Sequence, residues 1–201
     1  MKILALDSSG LTASVAVIED ENLMGEYTMN YKKTHSQTLL PMLDELAKMI
    51  ELDLQSIDAI AVAGGPGSFT GLRIGSATAK GLGLALDKPI IHVPTVDGLA
   101  YNLWGHQDLV CPLMDARRNQ TYTGLYRFDG NQMEIIKPQC AVGIDEIIAE
   151  VNKLGQAVVF LGDGVAVFEA YIRENCTVPF TFAPAHVNKQ RAGAVLSLIH
   201  I

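Results

Sequence analysis

Two short stretches carry residue types at spacings that could do chemistry. "DSS" at 7–9 ends the apolar run "KILALD", and "GGPGSFTGLRIG" at 64–75 joins an apolar run to a helix-like one. A carboxylate beside two hydroxyls in a tight turn could hold a polar group. A glycine-rich turn from strand into helix can aim backbone N–H groups at an anion, with the helix dipole adding its positive end. Gly65 and Gly67 would then form a phosphate cradle, Asp7, Ser8 and Ser9 its neighbours, and Asp163 in "GDG" a ligand from further along the chain. Each group also has a plainer reading. The DSS trio is ordinary Asx-turn chemistry, Asp163 is a turn aspartate, and five glycines in twelve residues suit close packing of two backbones.

The spacing excludes several familiar machines. No Gly-Lys-Ser/Thr follows the loop, so it is not a Walker A motif, and the first strand leads into no GxGxxG fingerprint. His35, His92, His106, His186 and His200 are scattered, with no HxxxH or HExxH pair, and His92 reads as a core imidazole in a buried strand. Cys111, Cys140 and Cys176 form neither a disulfide framework nor a CxxC metal pair. No catalytic residue and no metal site are expected. Odd, dispersed cysteines and an opening apolar run interrupted by Asp7 point to a cytoplasmic chain without a signal peptide or membrane span. The net charge of −7, with Arg117–Arg118 as the only adjacent arginine pair, argues against direct binding of nucleic acid.

The elements that must position these groups read as a repeat. "KILALD", "TASVAVIE" and "LMGEYTMNYK" are three strands, followed by the helix "SQTLLPMLDELAKMIEL" and the strand "IDAIAVAGG". The glycine loop opens a second helix, then come the strand "PIIHVP" and a helix with Thr95 as N-cap. After Trp104 the order starts again with "LVCPLMD", "TYTGLYRF", "QMEIIKPQC", a helix and "AVVFLGDG", so that Asp7 matches Asp115, Thr12 matches Thr121 and "AGG" matches "LGDG". A repeat of this kind predicts two α/β lobes, at 1–103 and 104–201, the second closed by a helix over "NKQRAGAVLSLIHI".

The first two helices carry more apolar surface than one lobe needs. Apolar residues from Leu39 to Ile50 span about 180°, against about 100° for a usual core stripe. In the second helix only Arg73, Ser76 and Lys80 make a polar stripe, and its glycines disfavour the helix while admitting a second backbone. This predicts a docking face for another chain, centred on Leu39, Leu43, Leu46, Leu72, Ile74 and Ala79, with Arg73 and Lys80 as its charges.

These stretches carry a family resemblance. "ILALDSS" with "TASVAV", "HSQTLLPML", "AVAGGPGSFTGLRIG", "VPTVDGLA", "MDARRNQTY" and "RAGAVLSL" together resemble the bacterial TsaB (YeaZ) family of transfer-RNA threonylcarbamoyladenosine synthesis. The likeness covers nearly the whole chain, and "GGPGSFTGLRIG" is highly specific to the family. It implies the ASKHA (actin-like ATPase) fold of tandem ribonuclease-H-like lobes. It further implies a catalytically silent paralogue of the transferase TsaD, which it docks through its first two helices, and a homodimer when that partner is absent. A TsaE-type ATPase would join the larger complex, and tRNA would be reached only indirectly. By the resemblance, TsaD holds its metal through two histidines four residues apart; Thr95 and Leu99 stand at those places, and neither replaces an imidazole. The cleft of Asp7, Ser8, Ser9, Gly65, Gly67 and Asp163 is then vestigial. No cofactor is intrinsic, while ATP or ADP at the partner interface, touched by Arg73 or Arg117, stays open. Family members run on past "RAGAVLSL", so a shortened second lobe is expected. Two rival readings remain at this point: an ATP-dependent transferase of the sugar-kinase type using the same cleft, and a metallopeptidase.

Overall fold

The computed structural model describes residues 1–31, 34–130 and 132–199. Its first sheet is built from β1 (Lys2–Asp7), β2 (Ala13–Glu19) and β3 (Asn22–Met29), an antiparallel meander, with β4 (Ala59–Ala63) parallel to β1 and β5 (Ile90–Val93) parallel to β4. The strand order is β3-β2-β1-β4-β5. Side chains alternate across a strand with period two, so one sheet has two distinct faces. Leu4, Leu6, Val15, Val17, Ile60 and Val62 pack with α1 (His35–Met49) and α2 (Phe69–Leu86). Ile3, Ala5, Ala16, Ile18, Ala59 and Ala61 pack with α6 (Ala192–Ile199). Because both faces are covered, β1, β2 and β4 read as near-continuous apolar runs.

The second sheet repeats this plan. β6 (Leu109–Asp115), β7 (Gln120–Asp129) and β8 (Gln132–Gly143) form the meander, β9 (Val158–Leu161) lies parallel to β6, and β10 (Phe180–Phe182) parallel to β9. Leu109, Cys111, Leu113 and Leu125 pack against α4 (Ile144–Leu154) and α5 (Gly164–Asn175). The short helix α3 (Thr95–Tyr101) follows β5. Asp7 closes β1 opposite Ser14, and Asp115 closes β6 opposite Thr121, so Asp7 and Asp115 match as expected while Thr121 corresponds to Ser14 rather than to Thr12.

Two expectations are corrected. The chain divides into Met1–Gly98 with the segment from Gln190 onward, and Leu99–Lys189, rather than at 103/104. The last helix therefore belongs to the first unit. Ala192, Val195 and Leu196 supply the apolar cover for the sheet face that α1 and α2 leave open. The first turn of α6 is also tied to β3: Glu26 pairs with Arg191 and accepts the Gly193 N–H at 3.1 Å. β5 is the second difference. It is an edge strand, with Ile90 40% exposed and His92 exposed against Gly64, because no strand among the described residues pairs beyond it in the sheet order.

Candidate functional site

The turn after β1 and the loop before α2 interlock. Asp7 Oδ1 accepts the Ser9 N–H at 2.9 Å and the Ser9 hydroxyl at 2.6 Å, closing an Asx turn. That turn pushes Ser8 and Ser9 into the glycine loop. Ser8 Oγ donates to the Gly71 carbonyl at 2.9 Å, and the Ser68 N–H donates to the Ser9 carbonyl at 2.7 Å. A Cβ at Gly71 would collide with the Ser8 carbonyl, and one at Gly67 with the Ser9 carbonyl. At Gly75 it would lie 2.6 Å from Ser8 Oγ. The glycines thus admit a second backbone, but it is the chain's own. Ser68 Oγ caps α2 by accepting the Gly71 N–H at 3.3 Å, so part of the anion-binding end of that helix is satisfied internally.

Gly65 is needed for its φ of +114°, which L side chains rarely adopt, and its peptide to Pro66 is cis. Its N–H donates to Thr95 Oγ1 at 3.0 Å, and its carbonyl accepts the Thr95 N–H at 2.9 Å. Thr95 therefore pins the loop to the start of α3, a role the sequence pattern did not reveal. Another missed residue is His35, whose Nε2 lies 2.9 Å from the Gly10 carbonyl and ties α1 to the same turn.

Burial raises the Asp7 carboxyl above the ordinary carboxylate range, and the two Ser9 bonds pull it partly back. Asp163 belongs to the second unit, at the start of α5. It is raised mainly by burial and further by the Asp115 carboxylate, while its bond from the Asp115 N–H at 3.3 Å works the other way. Asp115 in turn accepts the Arg117 N–H at 2.8 Å, and Arg117, Arg118 and Asn119 all have left-handed φ. The structure so brings Asp7, Ser8, Ser9 and Gly67 together in one unit and joins Asp163 to Asp115 in the other. Among the described residues no three His, Cys, Asp or Glu side chains converge as a metal site would require.

Four of the residues expected on a docking face are buried. Leu39, Leu43, Leu46 and Ala79 are 0–7% exposed and belong to the core of their own lobe, so they cannot be the contact surface. On α1 the buried positions Leu39, Met42, Leu43 and Leu46 form an ordinary core stripe. On α2, Gly71, Gly75, Ala79 and Gly83 recur every fourth residue and turn inward, while Ile74 and Leu72 are half-buried. What remains outside is a second stripe. Phe69 is 69% and Leu84 87% exposed, with Arg73, Ala77 and Lys80 exposed between them. The Arg73 guanidinium sits 4.0 Å from the Phe69 ring centroid. Phe69, Leu72, Arg73, Ser76, Ala77 and Lys80 line a shallow hollow of about 460 Å³.

Residues 22–198 match the family described as TsaD, tRNA N6-adenosine threonylcarbamoyltransferase. The tRNA threonylcarbamoyladenosine biosynthesis protein TsaB of Bacillus subtilis is 34% identical over 174 residues, 87% of this chain and 76% of that protein. The chain belongs to the TsaB (YeaZ) family. The Escherichia coli TsaB protein is 35% identical over 65% of this chain, a match that spans 57% of that relative's length. The solved structure of YeaZ from Pseudomonas aeruginosa superposes with a TM-score of 0.81 at 26% identity, covering 98% of this chain and 89% of that one. The repeated sheet order is that of the ASKHA fold, two ribonuclease-H-like lobes in tandem.

Two positions that the resemblance singles out, Thr95 and Leu99, are occupied within the fold. Both are 1% exposed; Thr95 is committed to Gly65, and Leu99 is a core residue. No helix among the described residues is long and apolar enough to cross a membrane.

Proposed function

We propose that this chain is a non-catalytic scaffold and activator in the formation of threonylcarbamoyladenosine next to the anticodon of tRNA, docking a TsaD-type transferase through the outer face of α2. The observation that carries the reading is the occupied glycine loop. Where a phosphate cradle would leave its N–H groups facing a ligand, Ser8 and Ser9 insert and take up the Ser68 N–H and the Gly71 carbonyl. Asp7, which could otherwise serve an incoming group, is buried and closed on Ser9. Such an arrangement holds a shape and leaves the chemistry to a partner.

The docking face follows from exposure. Phe69, Ala77 and Leu84 offer apolar area on a helix braced by its own core, and Arg73 and Lys80 supply charges that can fix orientation. The same face serves self-association when the transferase is absent, and a TsaE-type ATPase joins only the assembled complex.

The test replaces exposed apolar residues by charge. Phe69→Glu or Leu84→Glu should weaken capture of the TsaD-type transferase by about tenfold or more, as expected for centrally placed apolar contacts. Val167→Glu, at an exposed position of α5, should leave capture unchanged. Full affinity in both α2 variants would place the docking face elsewhere.

A further inference from the structure

Among the described residues, one buried side-chain amide in the first unit has no hydrogen-bond partner. Gln190, 1% exposed, has neither its amide nitrogen nor its amide oxygen bonded to protein, and the buried Nδ1 of His35 is likewise unpartnered. Buried polar atoms of this kind are rare in native folds and each needs an explanation. The two residues flank Gly10. The Gln190 amide lies so close that a Cβ at Gly10 would sit 2.7 Å from it, and His35 Nε2 is 2.9 Å from the Gly10 carbonyl.

The donors and acceptors identify what fits. Since a carbonyl only accepts, Nε2 carries a proton, and in that tautomer Nδ1 is an acceptor. The Gln190 nitrogen requires an acceptor and its oxygen a donor, whichever way the amide is turned. A metal or ammonium ion cannot accept from the amide N–H, and an anion cannot donate to its oxygen. Water does both. We infer that Gln190 holds an internal water molecule, which accepts from the amide N–H, donates one proton to the amide oxygen and gives the other to His35 Nδ1. Three hydrogen bonds are the usual complement of a buried water.

The site lies where three elements meet. Thr12 Oγ1 donates to the Gln190 carbonyl at 3.2 Å, Arg191 next along the chain pairs with Glu26, and His35 opens α1. The water therefore ties the segment entering α6 to the start of α1, beside the turn bearing Asp7 and Ser9 and independently of any partner.

A crystal structure of the intact chain fine enough to place waters should show a density peak at hydrogen-bonding distance, about 2.7–3.2 Å, from the Gln190 amide. A dry contact, or an amide rotated onto a protein partner, overturns the inference. Gln190→Leu checks it separately by urea unfolding. With a water in place, the apolar side chain strands His35 Nδ1 and the urea midpoint falls. A midpoint that stays or rises shows that the amide was dry, because leucine then removes unsatisfied groups of similar shape.

Discussion

Asp7 is the residue on which the site turns, and its position is legible in the sequence while its state is not. An aspartate followed by two serines at a strand end reads as an Asx turn, and the structure has one. Whether that turn faces solvent or the interior depends on what packs over it, which is a tertiary matter. Here the carboxyl is buried and its pKa is raised above the usual value of 3.8. The folded chain therefore holds the Asp7 proton more tightly than the unfolded chain. The stability this contributes is fully present below the ordinary aspartate pKa and is lost as pH rises through the raised one. Asp7→Asn should accordingly raise the urea midpoint relative to the wild type at pH 7, and the gain should shrink as the pH is lowered to about the unperturbed carboxylate value. A gain that is absent at pH 7, or that grows in acid, would contradict the burial argument. Four residues expected at an interface are buried instead, for a related reason. Leu39, Leu43, Leu46 and Ala79 are apolar like their exposed neighbours Leu40 and Leu84, and helical spacing cannot decide which side of a wide apolar arc the sheet will cover.

At the scale of elements, the strands, the first two helices and the doubled order of β6 to β9 follow from periodicity and turn residues alone. The glycines of α2 signalled a close backbone, but the sequence could not say whose. Only the register of the loop against Ser8 and Ser9 answers that. The last helix escaped because a sequential reading assigns each element to the lobe just completed, whereas α6 crosses back to the first sheet. Its anchor is a long-range cluster invisible to local pattern: Glu26 accepts from Arg191 Nε at 3.1 Å and from the Gly193 N–H, and the Ser14 hydroxyl takes the Ala192 N–H at 2.9 Å. Glu26, with a side chain only 9% exposed, both pairs with a cation and caps the helix start. Glu26→Ala should lower stability by about 2 kcal/mol, with the amides of α6 losing hydrogen-exchange protection before those of α1. Uniform loss across both helices would mean that α6 has no separate anchor.

For the whole molecule, two copies of one α/β plan carry a family likeness that extends over nearly all of the chain, and in the first copy the glycine loop and its neighbours are engaged in bonds within the fold. The glycine loop is occupied by the adjoining turn, Thr95 is bonded to Gly65, and Leu99 is core. What is left on the outside of α2 is a ridge of Phe69, Arg73, Ala77, Lys80 and Leu84, suited to contact rather than to reaction. The most direct test is a transfer assay with substrate tRNA, ATP and the threonylcarbamoyl precursor, run with this chain alone, with a TsaD-type transferase alone, and with both. Modified adenosine should form efficiently only when the two proteins are combined, and the chain by itself should give none. Turnover by the isolated chain, or full transferase activity without it, would contradict the account.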